Sequence, residues 1–279
     1  MKVGIIGTGT MGSLLVQSFV QANALTAESI ILFNRSAEKA QQLAERMEGV
    51  TIAHDARTLV AASDIIFLCI KPHDYATVIE MCQTSFRAEQ IVVTITSPVM
   101  IDQLEALVPA KVAKLIPSVT NSLQSGVALY CFGDRLDNSD QSRLLQLFRA
   151  LGLPLEIQER HTRIASDISS CGPAFLSALL QLWIQAAVDK TGISTTLAQQ
   201  MMAEMLSGLA QLLTCGGVTP HEIITKVAVP GGITAAGLEC LLTECEGLFE
   251  SLTTLTQQKF NSDCLQVEKQ LAIVSQPRC

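Results

Sequence analysis

A G-x-G-x-x-G run set between an apolar strand and a helix constrains this chain more than any other feature of its sequence. Lys2-Val3-Gly4-Ile5-Ile6 reads as a strand, Gly7-Thr8-Gly9-Thr10-Met11-Gly12 follows at once, and Ser13-Leu14-Leu15-Val16 continues as a helix. That context, strand before and helix after, gives the spacing its specificity. Gly7 permits a tight turn, Gly9 lets backbone approach a diphosphate, and Gly12 lets helix and strand pack closely. The diphosphate of a dinucleotide is then expected at a helix N-terminus, held by unpaired N–H groups and favoured by the helix dipole.

The rest of the first half repeats that alternation. Residues 29–33, 50–53, 65–70, 91–95, 112–116, 127–132 and 155–157 are short β-branched or nearly all-apolar runs, and helix-like stretches lie at 36–48, after Ala56 and at 140–151. Such runs, separated by helices, predict parallel strands covered on both faces. From His161 the pattern has helical period only. Leu197, Met201, Met202, Met205, Leu209, Leu212 and Leu213 form one apolar face, read as irregular core filling. The fold class is therefore α/β: a doubly wound, Rossmann-like domain over residues 1–158, then an all-α domain over 159–279. Residues 275–279 read as a loose tail.

Composition removes several function classes. A formal charge of −7, without a basic cluster longer than two residues, leaves no electrostatic footprint for nucleic acid or an anionic membrane. A small soluble ligand is the expected partner. Nine cysteines include no Cys-x-x-Cys pair, and the four histidines do not cluster with them, so neither a disulfide framework nor a metal site is expected. This usage, and a chain that opens directly on a strand, point to the cytoplasm. Residues 168–188 carry no charge over a membrane-spanning length, yet include Ser169, Ser170, Gly172, Pro173, Gln181 and Gln185. They read as a helix buried on several sides in a bundle or dimer.

The second strand ends in Asn34-Arg35-Ser36 instead of an acid. An Asp or Glu there would hold the ribose 2′-hydroxyl of NAD, whereas Arg35 can pair with the 2′-phosphate of NADP. NADP is preferred on this reading and NAD stays possible. The plainer alternative makes Arg35 a solvated turn residue and Ser36 a helix N-cap. Lys71-Pro72 ends the strand at 65–70, where an open parallel sheet presents its ligand crevice. In the second half, Ser169-Ser170-Cys171-Gly172-Pro173-Ala174-Phe175 and Pro230-Gly231-Gly232-Ile233-Thr234 both put Pro or Gly ahead of a helical pattern. Two helix starts with unpaired amides, aimed at one cavity, would make an anion pocket.

In this order and spacing, Gly7-x-Gly9-x-Met11-Gly12, Asn34-Arg35-Ser36, Ile70-Lys71-Pro72, Ser169-x-x-Gly172-Pro173-Ala174-Phe175 and Pro230-Gly231-Gly232-x-Thr234 resemble pyrroline-5-carboxylate reductase. The likeness spans about residues 1–258, and within that family the chain resembles a diverged, ComER-type branch. The resemblance implies NAD(P)H-dependent reduction of a cyclic imino acid to proline, with a homodimer, or a larger oligomer, formed through the helical domain. It places Gly7, Gly9, Thr10, Met11 and Gly12 at the cofactor phosphates, Asn34, Arg35 and Ser36 near the adenosine ribose, and Lys71 and Pro72 near the nicotinamide ribose. It places the substrate against Gly172, Pro173, Gly231, Gly232, Ile233 and Thr234. The catalytic residue it implies is Thr234, whose hydroxyl faces the imine nitrogen while amides around 232–234 hold the carboxylate; the alternative is that Thr234 caps a helix.

Several positions depart from the family pattern. Val229 stands where a serine or threonine precedes Pro-Gly-Gly, and Ile233 where a small or hydroxyl residue precedes the threonine. Ser170, Cys171 and Phe175 replace a glycine and two hydroxyl residues, the Pro-Asn-x-Pro loop reads Pro117-Ser118-Val119-Thr120, Ser97-Pro98 replaces Ala-Gly, and Ala56 an asparagine. Two or three lost hydrogen bonds at about 1 kcal/mol each weaken binding or turnover ten- to a hundredfold or more. A non-catalytic, NADP-binding regulatory paralogue is therefore the second reading. A β-hydroxyacid dehydrogenase shares the architecture but brings a lysine on the inter-domain helix, and residues 172–190 supply one only at their far end.

Overall fold

In the computed structural model residues 1–274 are described, and the tail expected at 275–279 lies outside the described residues. Eight strands, β1 (Val3–Ile6), β2 (Ile30–Phe33), β3 (Thr51–Ile52), β4 (Ile65–Leu68), β5 (Ile91–Thr94), β6 (Lys111–Ile116), β7 (Val127–Phe132) and β8 (Leu153–Glu156), form one sheet in the order β3-β2-β1-β4-β5-β6-β7-β8. Helices α1 (Thr10–Gln21), α2 (Ala37–Arg46), α3 (Ala56–Ala62), α4 (Tyr75–Cys82), α5 (Ile101–Glu105) and α6 (Asn138–Arg149) alternate with them. The strand order reverses between β1 and β4, so a ligand crevice opens beyond the carboxyl ends of those two strands.

The near-continuous apolar runs follow from burial on both faces. Ile65 and Phe67 of β4 belong to one core cluster with Leu15, Phe19 and Phe148, while Ile66 and Leu68 belong to another with Leu59, Tyr75 and Ile79. Successive side chains point to opposite faces, and each large one buried contributes about 1.5–3 kcal/mol. One expectation fails at the sheet's far side: β7 runs antiparallel to β6. The connection between them is ten residues of loop and short 3-10 turn, too little chain for a helical crossover.

Lys114 interrupts the apolar run of β6. Its side chain is fully buried, with Nζ 2.7 Å from Glu159 Oε1 and 3.0 Å from Ser97 O. Glu159 Oε1 also accepts the Ile101 N–H at 3.0 Å, so one ion pair joins β6, the loop after β5 and the start of α5. Lys114→Met should lower stability by about 2–3 kcal/mol, because it leaves the carboxylate without its cation in a partly enclosed site. A urea midpoint equal to wild type would contradict this assignment.

The remaining helices are α7 (Thr162–Ser166), α8 (Gly172–Thr191), α9 (Thr195–Thr214), α10 (Pro220–Val227), α11 (Ile233–Glu244) and α12 (Leu248–Val274). Packing divides the chain into two compact units, Met1–Pro173 with the residues from Leu255 onward, and Ala174–Thr254. In the first, Val267 and Leu271 of α12 enter the Leu59–Tyr75 core cluster. In the second, Ala198 is the one buried residue. The methionine-bearing face of α9, read as core filling, is therefore not covered within one chain: Met201 is 57% and Leu212 48% exposed.

Of the two settings expected for the uncharged helix, a bundle within the chain does not bury it, which leaves burial in a dimer. The helical run Glu159–Thr191, 33 residues at a mean hydropathy of 1.4, is by length and composition sufficient to cross a membrane, and none of its most apolar window is buried. Leu182 and Trp183 are 68% and 63% exposed. Apolar side chains at this density require a partner outside the single chain.

Candidate functional site

Sterics at the glycine run divide the three glycines by role. Gly7 has φ +100°, and a Cβ there would stand 2.3 Å from Cys69 O; a Cβ on Gly12 would stand 1.9 Å from Gly7 O. Both are turn and packing requirements. A Cβ on Gly9 would meet nothing within 4 Å, so its open face is room for a ligand. Gly9 is the N-cap of α1 and has no side chain to cap with. The first helical bond runs from Ser13 N to Gly9 O, which leaves the amides of Thr10, Met11 and Gly12 without helical acceptors. Four other helices carry side-chain caps: Asp55, Asp137, Ser194 and Thr219 each accept first-turn N–H groups.

The loop after β2 is tied to this turn. Thr8 N–H donates to Asn34 Oδ1 at 3.0 Å, and Asn34 Nδ2 donates to Ser36 O at 2.9 Å. Both ends of the Asn34 carboxamide are thus engaged, Oδ1 tying the two loops together and Nδ2 bracing its own loop. Ser36 occupies the N-cap of α2, as the plainer alternative has it, but its hydroxyl makes no capping bond. Arg35 is 89% exposed and its Nη1 lies 3.2 Å from Asp74 Oδ1.

Gly7, Gly9, Asn34, Arg35, Ser36 and Lys71 line one crevice of about 400 Å³, together with Lys39, Cys69 and Asp74. Thr10 faces a neighbouring hollow with Lys39 and Arg46, and the Met11 side chain packs on the core, so only its backbone is available. Pro72 opens a short 3-10 turn and lies in a separate hollow with Lys259 and Gln266 of α12, not in the crevice. Sequence reasoning missed Lys39 and Asp74. Lys39 was within reach as the next exposed cation after Ser36; nothing in spacing links Asp74 to Arg35.

Neutral walls surround these charges. Burial pushes the Cys69 thiol well above its ordinary range, so it is uncharged at physiological pH. The buried Tyr75 Oη lies 3.0 Å from Leu68 O and 2.7 Å from Thr94 Oγ1, and Thr96 Oγ1 donates to Ile70 O at 3.0 Å. These bonds fix the loops that leave β4 and β5.

In the helical half one expected helix start is absent. Gly172 and Pro173 do not begin a helix; the run from Thr162 continues through them by one turn of π-helix at Asp167–Cys171. Pro173 has no N–H and its ring would crowd the carbonyl four residues back, and the wider turn relieves both. Arg163 Nη2 pairs with Asp167 Oδ1 at 2.7 Å, Thr256 Oγ1 donates to Asp167 Oδ2 at 2.6 Å, and Ser170 Oγ donates to Pro117 O at 2.7 Å. These ties hold the turn to α12 and to the loop after β6.

The second helix start is present, in the other compact unit. Val229-Pro230-Gly231-Gly232 is a β-turn closed by Gly232 N–H to Val229 O at 3.0 Å, with Gly231 at φ +75°, as a type II turn with Pro second and Gly third requires. Gly232 is the N-cap of α11, so Thr234 sits at the second helical position and is not the cap. Gly232 N–H is used by the turn; the free first-turn donors are Ile233, Thr234 and Ala235, a shift of one residue from expectation. Ile233 is 95% and Val229 59% exposed.

Among the described residues no group of three or more His, Cys, Asp or Glu side chains is placed to hold a metal ion. Residues 159–261 match the family model described as pyrroline-5-carboxylate reductase dimerisation, and residues 2–98 one described as NADP oxidoreductase coenzyme F420-dependent. The chain is 37% identical to ComE operon protein 4 of Bacillus subtilis over 98% of this chain and 100% of that protein. It is 29% identical to pyrroline-5-carboxylate reductase of Aquifex aeolicus, covering 86% of this chain and 89% of that one. The structure of Plasmodium falciparum pyrroline carboxylate reductase with NADP bound superposes with a TM-score of 0.79 at 22% identity, covering 97% and 98% of the two chains. At that identity the likeness establishes a shared fold.

Proposed function

The chain belongs to the pyrroline-5-carboxylate reductase family, and from that membership we propose that it is a cytoplasmic NAD(P)H-dependent reductase of pyrroline-5-carboxylate, forming proline. The observation that carries the reading is the start of α11, where a glycine cap leaves three amides and the exposed Thr234 free for a ligand. A carboxylate suits those amides and the positive end of the helix. Thr234 then donates its hydroxyl hydrogen bond to the ring nitrogen, orienting the C=N bond. Fixed donors of this kind need little reorganisation as the bond is reduced.

The residues at the crevice fit a dinucleotide: unpaired amides at 10–12, an open face at Gly9, and a buried Thr8 hydroxyl without a partner among the described residues. Gly7, Gly9, Thr10, Met11 and Gly12 hold its diphosphate, Arg35 and Ser36 its adenosine ribose with Asn34 bracing their loop, and Lys71 its nicotinamide ribose, while Pro72 shapes the turn that carries Lys71. When bound, its nicotinamide supplies the hydride. The domains are a dinucleotide-binding part, 1–158, and a helical part, 159–279, that pairs with a second copy. The uncovered apolar faces of α8 and α9 support that homodimer. Light scattering should give at least twice the chain mass of 30.0 kDa; a monomer at micromolar concentration would contradict the pairing.

One observation favours a second reading. Val229 and Ile233 carry no hydroxyl on either side of the glycines, which suits an NADP-binding paralogue without turnover. Growth of a proline auxotroph separates the two: restored growth supports the reductase, and no growth despite soluble protein supports the paralogue.

A further inference from the structure

The loop after β4 brings an acid to the place where the loop after β2 lacks one. Asp74 stands 39 residues from Arg35 in sequence, yet its Oδ1 is 3.2 Å from Arg35 Nη1, and both line the crevice. Its other oxygen, Oδ2, lies 3.7 Å from His73 Nε2. The two members of the pair are unequal: the Arg35 side chain is 89% exposed and the Asp74 side chain 26%. The carboxylate is the fixed member, set in the wall at the start of α4, and the guanidinium is the one that can swing.

We propose that Asp74 is a specificity-determining residue that lowers the preference for NADPH over NADH. The proposal rests on the dinucleotide reading above and adds a residue to it. A 2′-phosphate seeks Arg35 and must take it from Asp74 while approaching a fixed negative charge. A ribose 2′-hydroxyl instead donates to that carboxylate, as it does to the acid that commonly ends the second strand. Lys39 and Lys71 also line the crevice and keep it net positive, so phosphate remains admissible. Asp74 therefore weakens a selectivity that Arg35 creates, and the chain accepts both nucleotides. Asp74 makes no capping bond to α4, so its replacement removes charge without removing a helix cap.

The test is titration of the full-length protein with NADPH and with NADH, by fluorescence or calorimetry, for wild type, Asp74→Asn, Asp74→Ser and Arg35→Ala. Wild type is expected to bind the two nucleotides within about tenfold of each other. Asp74→Asn should raise the ratio of the NADH to the NADPH dissociation constant about fivefold or more, chiefly through tighter NADPH, and Asp74→Ser should do the same. The gain should shrink with added salt. Arg35→Ala should bring the ratio to one or below. An unchanged ratio in both Asp74 variants, or equal losses for both nucleotides, overturns the proposal while leaving the dinucleotide reading intact. If wild type binds neither nucleotide, the dinucleotide reading fails first and the proposal with it.

Discussion

Thr234→Ala is expected to lower turnover of pyrroline-5-carboxylate about a hundredfold or more while leaving nucleotide affinity within about twofold of wild type. The hydroxyl is the one side-chain donor at the head of α11, so its loss removes orientation of the ring nitrogen and spares the backbone amides that hold the carboxylate. Folding should be unaffected. Gly232 supplies the cap, Thr234 is exposed, and alanine is the better helix former. Thr234→Ser should recover most of the rate. Steady-state kinetics with parallel nucleotide titrations check this, and a variant with wild-type turnover would remove Thr234 from the mechanism.

The glycine run offers the second large effect, and its three members should fail differently. Gly12→Ala puts a methyl 1.9 Å from a backbone carbonyl that no side-chain rotation can relieve. A stability loss of more than about 3 kcal/mol is expected, with no measurable nucleotide binding. Gly7→Ala combines a left-handed φ with a 2.3 Å clash and should behave alike. Gly9→Ala has open space around its new methyl and should unfold at the wild-type midpoint, yet bind nucleotide at least about tenfold more weakly, because the methyl occupies the diphosphate's approach. Urea unfolding and nucleotide titration on the three proteins separate packing from binding. Equal behaviour of Gly9→Ala and Gly12→Ala would contradict the division of roles.

How much was legible in the sequence depended on whether the governing contacts were local. The strands β1, β4 and β5 were readable because burial on both faces gives four consecutive buried residues, nearly all of them apolar, and the glycine run because its constraints act between neighbours. The Pro230-Gly231-Gly232 turn was readable for the same reason. The antiparallel β7 was not, since an apolar strand carries no sign of direction and only the shortness of its connection betrays it. Gly172-Pro173 was misplaced as a helix start because a proline inside a helix and one at its beginning look alike until the π turn at Asp167–Cys171 is seen. Lys114–Glu159 and Arg35–Asp74 are pairs made by topology across 45 and 39 residues, with no periodicity to announce them. The faces of α8 and α9 read as interior because their composition is interior; the surface that would bury them is not in the same chain.

Turnover itself is the most direct measurement. Purified full-length protein is incubated with pyrroline-5-carboxylate and NADPH, nicotinamide absorbance is followed, and the product is identified as proline. The expected result is substrate-dependent loss of absorbance that matches proline formed one to one and is lost in Thr234→Ala. Nucleotide binding without any absorbance loss above background, at high enzyme concentration, would contradict the reductase assignment and leave a binding protein in its place.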